Sequence, residues 1–144
     1  MHPMQNIINN YNNVIQETMP DLKVKQLQYE TNSCKRLLGF MMEENVHLKN
    51  RLSEILKEKF DKYLLEEVDS FQNRFIKEDE LIALLRNEVS EMGKTLEKEI
   101  FKNGNYIKEA ERKLKRLKHN IVNAEKEFGK LKSEFNNFLS VNIL

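Results

Sequence analysis

The sequence predicts an all-α protein: a long-helix coiled coil that ends in an antiparallel helical hairpin, with two copies joined in a dimeric helical bundle. Three observations predict it. Apolar residues recur at alternating steps of three and four over most of the chain, the period of a helix that buries one seam. Only four glycines and two prolines occur in 144 residues, too few for the turns of a sheet protein. Charged residues make up 33% of the chain and Trp is absent, a composition suited to solvated helices.

Residues 1–20 form a first segment, rich in asparagine at positions 6, 9, 10, 12 and 13 and closed by Pro20. Asparagine is a mediocre helix former because its side chain competes for backbone hydrogen bonds. Met4, Ile8, Tyr11 and Ile15 nevertheless keep helical spacing, which predicts a short or frayed amphipathic helix that forms on docking. Residues 21–60 are the next unit. Pro20 and Asp21 suit a first turn, and a heptad then runs through Val24, Leu27, Thr31, Cys34, Leu38, Met41, Asn45, Leu48, Leu52 and Ile55.

Beyond Leu48 the phase drifts, because Leu52, Leu56, Phe60, Leu64 and Val68 follow one another in steps of four. Each such step turns the stripe by about 40°. With neither Gly nor Pro nearby, continuation is favoured over a break, as one long helix from about Pro20 to Lys102. The alternative is that 21–60 folds back as a third helix of a monomeric bundle.

Residues 61–144 are predicted to be the hairpin, with its turn at Asn103, Gly104 and Asn105. Folding there sets Leu96 opposite Ala110, Val89 opposite Leu117, Leu85 opposite Ile121 and Phe71 opposite Phe135, with Phe75 and Leu131 in the same core. Leu65, Ile76, Leu81 and Leu84 lie off this seam, more apolar surface than one partner helix covers. That excess predicts a homodimer.

Asn45 to Ile55 reads N-V-H-L-K-N-R-L-S-E-I. It resembles the middle of the dimeric zipper helix of the leucine-zipper activators, over this stretch alone. The resemblance implies that Asn45 of two copies meets across a parallel two-stranded dimer and fixes its register. The alternative is an asparagine tolerated in a bundle core or facing water. The heptad makes Leu38, Met41, Asn45, Leu48, Leu52 and Ile55 the expected oligomerisation or core positions. The basic region of that family is missing: Lys23, Lys25, Lys35 and Arg36 are too sparse, and Leu37 to Met42 is apolar.

The charge feature with most potential chemistry is the run 108–119. Lys108, Arg112, Lys115 and Arg116 are candidate polyanion contacts, since gripping phosphates needs only several cations on one solvated face. Acids on the facing helix and the shortage of aromatic residues favour a solvated, ion-paired face instead. His2, His47 and His119 are scattered without metal-ligand spacing, so no metal site is expected. Cys34 sits on the seam as a small apolar group with no His to activate it. Glu78, opposite Phe128, interrupts the seam. It marks a partner-binding notch, a local unpairing of the hairpin, or a helix restarting after Asp79.

No phosphate loop, paired catalytic carboxylates or nucleophile elbow is present in the sequence. No enzyme activity and no cofactor are expected. The net charge of +1 gives no global attraction to nucleic acid or to an anionic membrane. The longest apolar cluster is far short of the roughly 20 residues that cross a bilayer. The expectation is a cytoplasmic, non-enzymatic coiled-coil protein that mediates oligomerisation and contacts another protein as a scaffold or regulatory adaptor. The alternative is a nucleic-acid-associated helical protein using the basic face at 108–118.

Overall fold

The computed structural model describes the backbone of residues 3–58, 61–98 and 104–143, with side chains at 4, 6 and 7 and from 21 onward within those ranges except at 58. Nearly all of it is helical: α1 spans Pro3–Glu58, a single 3-10 turn spans Lys62–Leu64, α2 spans Leu65–Leu96 and α3 spans Gly104–Asn142. No described helix is long and apolar enough to cross a membrane.

The chain runs up, down and up. Gln28 of α1 reaches the carbonyl of Leu96 at 3.5 Å, and Asn45 reaches that of Phe75 at 3.1 Å, so α1 and α2 are antiparallel. Phe71 of α2 lies 5.3 Å, centroid to centroid, from Phe135 of α3, and Arg74 pairs with Glu134. Lys118 and Lys132 of α3 pair with Glu30 and Glu44 of α1, which run in the same direction. These contacts stack one layer per helical step. Leu27 shares a layer with Leu96 and Ala110, Cys34 with Val89 and Leu117, and Leu38 with Leu85 and Ile121, all buried. Toward the other end Leu48, Phe75 and Leu131, then Leu52, Phe71 and Phe135, fill the bundle. The Phe75 and Phe135 rings meet edge to face at 5.0 Å, a favoured arrangement of the two quadrupoles.

Two expectations about α1 are corrected. The helix does not continue from 58 into 62: the direction reverses between Glu58 and Leu65, so α1 and α2 are separate helices in contact. The device is Asp61, in extended conformation at φ −112° and ψ 126°, whose side chain accepts from the Tyr63 N–H while its carbonyl accepts from Leu64. An aspartate cap starts a helix without any help from Gly or Pro. At the other end Pro20 lies inside α1 and does not start it. Proline withholds one donor and crowds one carbonyl, about 3 kcal/mol, and the helix spans that position.

The expected turn falls only in part on described residues. Asn103 lies outside them, and Gly104 and Asn105 are the exposed first residues of α3. No described glycine has a positive φ.

Candidate functional site

The seam predicted to join two copies is closed within one chain. Leu38, Met41, Asn45, Leu48 and Leu52 are buried and Ile55 is partly buried, covered by α2 and α3. Asn45 does not need a second Asn45. Its Nδ2 donates to the Phe75 carbonyl and, at 2.6 Å, to Asp79 Oδ1, while Lys49 pairs with the other oxygen of Asp79. The zipper-like arrangement is thus replaced by a polar bridge from α1 to α2. The hairpin residues Phe71, Phe75, Leu85, Val89, Leu117, Ile121, Leu131 and Phe135 all lie in the core.

Glu78 sits in the same stretch, 7% exposed, inside an unbroken α2, so the helix neither unpairs nor restarts there. Burial, then the charges of Glu127 and Asp79, push its carboxyl above the usual range. Its Oε1 and Asn45 Oδ1 are both buried without a hydrogen-bond partner. Two orphaned acceptors in one part of the core cost stability. Thr31, the other buried polar seam residue, satisfies itself by donating to the Leu27 carbonyl at 2.7 Å. Cys34 is buried and unpaired, and burial raises its thiol pKa, the reverse of what a nucleophile needs.

Among the described residues no group of three His, Cys, Asp or Glu side chains is arranged to hold a metal ion. His47 and His119 are exposed, and His2 lies outside the described residues.

No family model, curated protein or solved structure matches the chain. Three surfaces of the bundle stand out. The first is α1 itself. Since the end of α2 and the start of α3 pack near Leu27, the stretch of α1 from Pro3 to about Pro20 runs beyond both as an arm of roughly 27 Å at 1.5 Å per residue. Met4, Leu22, Tyr29 and Phe40 are separated by near-integral numbers of turns, so they form one line on the side away from the core. Their exposures are 64%, 57%, 64% and 66%.

The second surface is the basic face of α3, where Lys108, Arg112, Lys115 and Arg116 are all exposed. The ion pairing expected there involves their neighbours, Lys113 with Glu109 and Lys118 with Glu30. Neither pair includes any of the four. The third is a groove of about 620 Å³ between α2 and α3, floored by Met92, Ala110 and Leu117 and walled by Glu88, Glu91, Lys113 and Arg116. The line on α1 escaped the sequence argument because its spacings of 18, 7 and 11 are a helical repeat hidden by the stronger heptad of the opposite face.

Proposed function

We propose that the chain is a non-enzymatic helical adaptor, a self-associating scaffold that displays α1 to another protein. The observation that supports this best is the exposed apolar line from Met4 to Phe40, which continues from the arm onto the body of the bundle. Isolated exposed apolar residues are ordinary on a protein surface. A row of four in register along one helix is the pattern that a partner helix or groove grips. By sequence, Tyr11 and Ile15 have the spacing of the same line. A cytoplasmic setting fits a chain whose single cysteine is buried and unpaired.

The test is capture from the native cell by the full chain, compared with a Tyr29→Glu/Phe40→Glu variant. Both residues are exposed, so the variant keeps the wild-type melting temperature. A protein captured by the wild type and lost with the variant supports the adaptor. Equal capture by both removes α1 as the binding face.

A second function has one observation in its favour, the four cations on α3 that form no ion pair among the described residues. If they grip a nucleic acid, binding is strong at low salt, falls steeply as salt rises, and is abolished by charge reversal at Arg112, Lys115 and Arg116. Absence of salt-sensitive binding to DNA and RNA ends that alternative.

A further inference from the structure

Helix α2 carries two stripes. The buried one includes Phe75, Glu78, Ile82, Leu85, Val89 and Met92. The residue before each of these is Arg74, Lys77, Leu81, Leu84, Glu88 and Glu91, a second heptad stripe about 100° round the helix. It lies on the α3 side, because Arg74 reaches Glu134. Lys77, Leu81, Leu84, Glu88 and Glu91 are exposed, Leu84 at 55% and Leu81 at 36%, and no described helix closes over the two leucines.

The order along this stripe is two bases, two leucines, two acids. We propose that two copies of the chain pair through it, antiparallel, about a two-fold axis passing between Leu81 and Leu84. In that arrangement Leu81 packs on Leu84 of the second copy and Lys77 meets Glu88, while Arg74, which pairs with Glu134 of its own chain, comes opposite Glu91, which pairs with Lys94. Symmetry makes every contact twice. A parallel pairing would set base on base and acid on acid. The second copy is the occupant because the stripe is its own electrostatic complement: any other helix would have to repeat this charge order in reverse.

The groove opens beside the acidic end of the stripe, with Glu88 and Glu91 on its α2 wall and Lys113 and Arg116 on its α3 wall. From Arg74 to Glu91 the stripe is about 26 Å long at 1.5 Å per residue. Two helices' width then buries on the order of 1,000 Å² in total, the size of a reversible rather than a permanent interface. This inference shares the premise that the chain is an assembly protein, but it uses a face separate from the α1 line.

Sedimentation of the full chain over a range of concentrations tests it. The wild type is expected to pass from monomer to dimer. Lys77→Glu and Glu88→Lys each replace two attractive contacts by two repulsive ones, and each alone is expected to weaken the dimer by about tenfold or more. Mixed together they restore it as a heterodimer, because the first then carries acids at both positions and the second bases. Circular dichroism melts of each variant show that the bundle itself is intact. A wild type that stays monomeric overturns the proposal. So does a mixture no better associated than its components, which is the result expected if α2 faced α3 of the other copy. Leu84→Glu is expected to abolish the dimer while leaving capture through α1 in place, whereas Tyr29→Glu/Phe40→Glu leaves the dimer, so the two proposals fail separately.

Discussion

Glu78 and Asn45 show what a polar residue costs when a bundle closes around it. The Glu78 carboxyl is held above its ordinary range chiefly by burial, with the charges of Glu127 and Asp79 adding to it. On α1, Lys49 is committed to Asp79, and on α3 Glu127 faces it with the same sign. The folded state therefore binds a proton at Glu78 more readily than the unfolded chain does. Its share of stability is present in full below the unfolded carboxylate range and is lost as pH rises through the raised value. Glu78→Gln is expected to flatten that share and to raise the melting temperature at pH 7, checked by melts between pH 4 and 8. Asn45→Leu is expected to stabilise as well, by about 1 to 2 kcal/mol, because it removes an orphaned buried oxygen and leaves the half-exposed Asp79 its pair with Lys49. Chemical denaturation measures it, and a loss of stability would mean that the bridge to Phe75 and Asp79 outweighs the orphan.

At the scale of the element, helix boundaries were less legible in the sequence than helix faces. The residues marked by heptad spacing, from Val24 to Ile55, Val68 to Leu96 and Ile107 to Phe138, are the ones that face the core. Periodicity reports a face directly, since burying it is what the spacing is for. It says nothing of direction, and the run of steps of four from Leu48 to Val68 fits a drifting helix and a reversal equally well. The deciding residue was Asp61, whose cap is one side chain accepting from one backbone N–H. Asp61→Ala removes it and is expected to cost about 1 kcal/mol, measured by chemical denaturation. No comparable cost is expected at Asp69, which is exposed within α2. The zipper-like stretch was open in a similar way: a seam with an asparagine is equally at home between two chains or within one. Only the position of α2, with Asp79 and the Phe75 carbonyl opposite Asn45, decides between them. The candidate surfaces were legible in part. The basic residues of α3 stood out as a run, but the stripe through Leu81 and Leu84 showed its charge order only once Arg74 was seen to lean toward α3.

Across the whole molecule, stability and display are divided along α1. From Val24 to Leu56 the helix contributes a face to every layer of the bundle, and the largest buried side chains, Phe75 and Phe135, lie at the end far from the arm. Before about Pro20 no described helix of the same chain lies beside it. Removing residues 1–19 is therefore expected to leave the melting temperature within about 2 °C of the full chain, a change of well under 1 kcal/mol for a domain of this size. Phe135→Ala, by contrast, empties a fully buried site in contact with Phe71 and Phe75 and is expected to cost about 3 to 5 kcal/mol. Calorimetry of the two variants beside the wild type checks both. If the shortened chain melted far below the full one, the arm would have to be covered by something that stabilises the fold. If that were another copy, the dilution dependence of the melt would reveal it, because a dimer's melting temperature falls on dilution and a monomer's does not. An arm whose loss leaves the melt unchanged at every concentration is instead free to be spent on a foreign partner.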